Sequence, residues 1–140
     1  MSDDLGGEPA CWSHLMDDLD TRDTDQPGQP PVTVDLTRVG TDASGAIWSL
    51  PHGGDLDANL VHLRPGEDVG DHVNDQVDVL VVAWDGTGDL TVDGRVMPIR
   101  RGTTVLIPSG SRRAIRAGTD GVTYLTVHRR RDPLTIGRRR

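Results

Sequence analysis

The chain has 140 residues, is 34% hydrophobic with no Phe, and carries a formal net charge of -7. That length suits one domain around a single core, and no apolar run approaches the ~20 residues a membrane-crossing helix needs. The acidic balance and the shortage of stacking aromatics exclude nucleic acid as a partner.

Charge is concentrated at the start. Residues 1–25 hold eight acids against Arg22 alone, and the segment ends in Gln26-Pro-Gly-Gln-Pro-Pro31. Such a composition predicts an acidic, Pro/Gly-rich and partly disordered arm over residues 1–31. Within it Trp12, Leu15, Met16 and Leu19 fall at helical spacing and form a candidate short apolar face. Cys11 and His14 make half of a zinc- or copper-binding spacing, whose second pair would have to come from the barrel or a second subunit. Cys11 is also the only cysteine, so it is expected as a free reduced thiol. The acidic opening is unlike the basic, then apolar start of a secretion signal, so a cytoplasmic location is the expectation.

From Val32 the texture changes to short β-rich runs: VTVDL, AIWSL, ANLVHL, DVLVVAW, DLTV, RVMPI, TTVLIP, RAIR and VTYLTVH. Several short strands at regular spacing predict an all-β sandwich or barrel over residues 32–130. Asp93-Gly94 is a two-residue hairpin signal, because both residues tolerate the positive φ of a tight primed turn. Pro65-Gly66 and Asp85-Gly86 mark further turns. VLVVAW is apolar on both faces and is expected inside the sandwich or at an interface. Residues 131–140 form an Arg-rich tail that reads as solvated.

Two segments carry the chemistry: Gly66-EDVGD-His72-V-Asn74-DQV-Asp78-V and Gly102-TTVLI-Pro108-S-Gly110-SR-Arg113. Together they resemble the two motifs of the cupin family, Gly-x5-His-x-His-x3 or 4-Glu-x6-Gly and Gly-x5-Pro-x-Gly-x2-His. The resemblance spans about Ala58 to His128 and implies a double-stranded β-helix, or jelly-roll, barrel. In metal-binding members two His and one Glu of the first motif and one His of the second surround a divalent ion. Here His72 matches the first His, Asn74 stands for the second and Arg113 for the third. The Glu position falls on Asp78 by one spacing and on Val79 by the other.

An amide oxygen replaces an imidazole poorly, and a guanidinium repels cations, so the four-ligand site is expected to be absent. If a cofactor is present, the resemblance implies a single divalent transition metal on His72, Asn74 and Asp78. His62 and His128 lie on β segments and are the candidates to rebuild such a site, although an isolated strand histidine is ordinarily a surface or core residue. Without a metal, Arg113 has three readings: an ion pair with Asp78, a clamp on an anionic ligand, or a solvent-facing side chain. His72 is the candidate proton donor or acceptor, since imidazole ordinarily titrates near ~6.5.

Asn59 and Asn74 are candidate pocket hydrogen-bonders, and Trp48 and Trp84 candidate anchors for core, interface or pocket wall. The preferred function is binding of a small anionic molecule in the barrel. The alternative is a metal-dependent enzyme of dioxygenase or isomerase type with an atypical ligand set. A third class is an accessory protein whose arm binds a partner. The resemblance also implies a homodimer paired through the outer sheet.

Overall fold

The computed structural model describes residues 30–51 and 54–131. The acidic arm with Cys11, His14 and the Trp12 to Leu19 face, and the tail beyond Arg131, lie outside the described residues. Those described form seven strands: β1 Gly45–Ser49, β2 Leu56–Leu63, β3 Asp68–Val73, β4 Val79–Val92, β5 Arg95–Arg100, β6 Thr104–Ile107 and β7 Arg112–Arg129. No helix among them is long and apolar enough to cross a membrane.

Strands β4 and β7 are long and antiparallel, and they belong to both faces of the jelly roll. Their outer ends pair from Leu80↔Val127 to Gly86↔Val122, with β2 on the far side of β7 and β6 on the far side of β4. Their inner ends pair from Gly88↔Ala117 to Val92↔Arg113, flanked by β3 and β5. β1 extends the first face by pairing with β2. Side chains alternate along each strand, so Val79, Val81 and Ala83 enter the core while Leu80 and Val82 stay half-buried on the outer face. Leu63, Ile99, Ile107, Ile115 and Val122 complete that core, each at most 6% exposed.

The corner between the two faces explains why two expected strands are one. Asp85-Gly86 is not a turn that ends a strand. Gly86 sits mid-strand at φ 79°, where a Cβ would collide with the Gly121 carbonyl oxygen and come within 3.0 Å of Val122 Cα. Gly121, at φ 76°, leaves room for the Leu63 carbonyl 2.8 Å from where its own Cβ would lie. Paired glycines let both strands bend together without losing their ladder. DVLVVAW therefore runs on into DLTV, and RAIR into VTYLTVH.

Two turns form as their sequences predict. Asp93 (φ 50°) and Gly94 (φ 84°) close the β4–β5 hairpin with both residues at positive φ, the primed geometry. Arg64 to Glu67 form a turn with Pro65 and Gly66 (φ 77°) in the middle, and the Glu67 amide donates to the Arg64 carbonyl at 2.9 Å. VTVDL is not a strand. Asp35 accepts hydrogen bonds from the amide and hydroxyl of Thr37 and caps a short 3-10 turn, Leu36–Arg38. A short acidic side chain competing for nearby backbone donors outweighs the β propensity of the flanking valines.

Candidate functional site

The two segments with motif spacing meet at one end of the interior. β3 brings His72 opposite Arg113 on β7, and the loop before β4 is tied to the loop after β6. Asn74 accepts the Gly110 amide on its backbone oxygen at 2.8 Å, and Asp78 Oδ1 accepts the Ser109 amide at 2.8 Å. Pro108-Ser109-Gly110 is a turn whose amides would otherwise be unpaired, and the acid and amide of the first segment satisfy them. Beneath these loops lies a cavity of about 250 Å³ whose polar lining is His72, Arg113, Tyr124 and Thr126. The rest of the lining is aliphatic, from Val61, Val81 and Leu90 to Ile107 and Ile115.

Arg113 Nε donates to His72 Nε2 at 3.0 Å, and His72 Nδ1 lies 3.0 Å from the Gly70 carbonyl oxygen. A carbonyl only accepts and a guanidinium only donates, so one state of the ring satisfies both contacts. That state is the neutral imidazole with its proton on Nδ1 and its Nε2 lone pair turned to Arg113. The two terminal nitrogens of Arg113 hydrogen-bond to no group among the described residues, and no carboxylate there lies within ion-pair distance of it. Burial lowers the Arg113 pKa from its ordinary value, and the nearby positive charge of Arg131 lowers it further. The mouth of the cavity thus holds a half-buried cation in a positive field.

Tyr124 is the second polar feature. It is 7% exposed, faces into the cavity, and its hydroxyl bonds to no protein group among the described residues. Burial pushes its pKa up to about 12, against a smaller lowering by the Arg113 charge. The phenol is therefore a neutral donor throughout the physiological range. The sequence signal for it was faint: Tyr124 is the only tyrosine and it stands in an alternating strand, VTYLTVH, on the same face as Val122 and Thr126.

The other sequence candidates lie elsewhere. Of the two residues that compete for the Glu position, Val79 is 1% exposed and lines the cavity, whereas the Asp78 carboxylate is outside on Ser109. No Arg113–Asp78 ion pair forms among the described residues. Asn59 accepts a hydrogen bond from Ser49 Oγ at 2.6 Å between β1 and β2, away from the cavity lining. Trp84 stands on the outer face at the β4 bulge, 36% exposed. Trp48, opposite Leu60, is half-buried and does not line the cavity either. His62 Nδ1 pairs with Thr123 Oγ1 at 2.8 Å, and His128 Nδ1 with the Arg129 carbonyl at 2.7 Å; neither lines the cavity.

These residues do not fit a divalent metal. The His72 lone pair is directed at a guanidinium, and Arg113 carries positive charge where a ligand would stand. Asn74 Oδ1 already accepts the Gln76 amide at 3.0 Å, and a neutral amide oxygen is a poor substitute for the imidazole nitrogen it replaces. Among the described residues no three His, Cys, Asp or Glu side chains converge. A larger, more open groove of about 560 Å³ runs past Asp89, Pro98 and Arg100, but both of its charged residues are solvent-exposed.

A jelly roll whose interior opens between two motif segments, one carrying His72 on β3 and the other ending in Arg113 on β7, defines a small cupin barrel. The family model for the cupin domain matches residues 59–128, half of the chain, and the chain belongs to that family. Solved structures agree on the fold. KdgF from Halomonas sp. superposes at TM-score 0.56 and 19% identity, over 61% of this chain and 78% of that one. A conserved protein of Streptococcus pyogenes, SPY1581, gives 0.60 and 21% over 81% and 99%. The cupin domain of Schizosaccharomyces pombe Cnp3 gives 0.61 and 17% over 72% and 74%. No functionally curated protein matches the chain.

Proposed function

We propose that the protein binds a small anionic molecule in the barrel cavity, held by Arg113 and without a metal ion. The observation that supports this reading is the state of Arg113: a half-buried guanidinium whose Nε is engaged by His72 and whose remaining donors meet no acceptor among the described residues. Desolvating a cation without a partner is costly, and an anion seated on the guanidinium fork offsets that cost with paired, charge-assisted hydrogen bonds. His72 then acts as a positioning residue that fixes the plane of the fork. Asn74 and Asp78 act one step further out, by tying together the loops that flank the strands carrying the pair.

The test is calorimetric titration of the full chain with acetate, benzoate and inorganic phosphate, repeated on Arg113→Met. Binding of any of these anions that is lost in the variant supports the reading. Heat signals that are equal in both proteins, or absent from both, defeat it.

A further inference from the structure

We infer that the anion is a monocarboxylate with a compact apolar body, its carboxylate bridging the free nitrogens of Arg113 and the hydroxyl of Tyr124 while the body fills the aliphatic interior. This inference rests on the anion-binding reading above and narrows it to a chemical class.

Three observations point the same way. The first is charge. Among the lining residues Arg113 is the one cation, and a monoanion neutralises it, whereas a dianion leaves one negative charge desolvated inside an aliphatic wall. The second is the orphaned phenol. Tyr124 is more than nine-tenths buried, turned into the cavity, and its hydroxyl is unbonded to protein among the described residues. A neutral O–H lining the same cavity as a guanidinium suits a carboxylate, whose two oxygens can accept from both.

The third is the wall. Val61, Val79, Val81, Leu90, Ile107 and Ile115 present no hydrogen-bonding group to the interior. A polyhydroxylated body, such as a sugar, would lose its water contacts there without replacement. An apolar body gains instead by burial. The cavity of about 250 Å³ equals roughly eight waters by liquid volume, which sets the body at about six to ten non-hydrogen atoms.

The experiment compares hexanoate and benzoate with acetate, hexanamide, adipate and inorganic phosphate on the full chain, by calorimetry and by the tyrosinate absorbance of the only tyrosine. Hexanoate is expected to bind about a hundredfold more tightly than acetate, from four additional buried methylenes. Hexanamide, which lacks the charge, is expected to lose at least about tenfold against hexanoate. Tyr124→Phe keeps the ring and removes only the hydroxyl, and is expected to weaken hexanoate about fivefold to tenfold. Bound hexanoate should also raise the pH at which Tyr124 ionises.

If adipate or phosphate binds in an Arg113-dependent way while hexanoate is no better than acetate, the monocarboxylate class falls and the anion reading stands. If no anion binds, both fall. The comparison among wild-type ligands is independent of whether any variant folds.

Discussion

Arg113 and His72 face each other across the β3–β7 ladder with Nε to Nε2 at 3.0 Å, which puts a guanidinium on the imidazole lone pair that cupin metal sites direct at an ion. The pair makes a metal-free state self-consistent at the imidazole, because the ring stays neutral with its Nδ1 proton on the Gly70 carbonyl and its Nε2 lone pair on the Arg113 Nε–H, while the terminal nitrogens of Arg113 are left for a ligand. Arg113→Lys is the informative substitution. Lysine keeps the charge but has neither the Nε–H that meets His72 nor the planar fork, so anion affinity is expected to fall about tenfold or more. Calorimetry on the variant checks it.

Metal content follows from the same pair. Protein purified without an affinity tag or chelator is expected to contain manganese, iron, nickel, copper and zinc at well below one ion per chain by elemental analysis. Changing Asn74, Val79 and Arg113 together to His, Glu and His restores the family's donor set, and that variant is expected to take up divalent metal. Stoichiometric metal in the unaltered protein would overturn this account of Arg113.

Tyr124 gives a pH dependence with a definite sign. Its folded pKa of about 12 lies above the ordinary value of 10.0. A raised value means the fold prefers the protonated phenol, so this stabilisation is fully present below pH 10 and is lost as the pH rises through about 12. The loss amounts to about 3 kcal/mol. Denaturant midpoints measured across that window should fall in the wild type and fall less in Tyr124→Phe. In Arg113→Met the positive charge that lowers the Tyr124 pKa is gone, and the tyrosinate absorbance should develop at still higher pH.

The corner glycines predict a stability effect unconnected with binding. Gly86→Ala places a methyl group against the Gly121 carbonyl at a positive φ, and is expected to cost about 3 kcal/mol or more by urea denaturation. Gly94→Ala also lies at positive φ but meets no atom within 4 Å, so it should cost about 1 kcal/mol. The difference between the two separates crowding at the corner from backbone strain alone.

Asp78→Ala removes the acceptor for the Ser109 amide and is expected to cost about 1 kcal/mol. Since Asp78 does not line the cavity, anion affinity should change through loop order alone, by less than about fivefold. A loss as large as that of Arg113→Met would place Asp78 in contact with the ligand instead.

Much of this protein is determined by sequence alone. Strand runs such as ANLVHL and TTVLIP and the Asp93-Gly94 hairpin identify an all-β sandwich or barrel, because side-chain alternation and turn chemistry are local properties of the chain, and the resemblance of the two glycine-proline segments to the cupin motifs implies the jelly roll. The same reading placed His72 and Arg113 at corresponding motif positions. Tertiary structure decided the remainder. Asp78 and Val79 are adjacent and point to opposite faces, so one residue of register separates a carboxylate in the cavity from a valine there, and pairing with Ile107 on β6 settles it. The Asp85-Gly86 bend reads as a turn until Gly121, thirty-five positions away in sequence, is seen to occupy the space of its missing side chain. Asn59, polar in an apolar run, reads as a pocket residue and Trp84 as an anchor for core, interface or pocket wall, yet one bonds to Ser49 between strands and the other stands 36% exposed on the outer face. Tyr124, one residue of an alternating strand, becomes a cavity donor only in the assembled barrel, where it lines the same cavity as Arg113. Which groups are left without a partner is a property of the assembled barrel, and the reading of function rests on those groups.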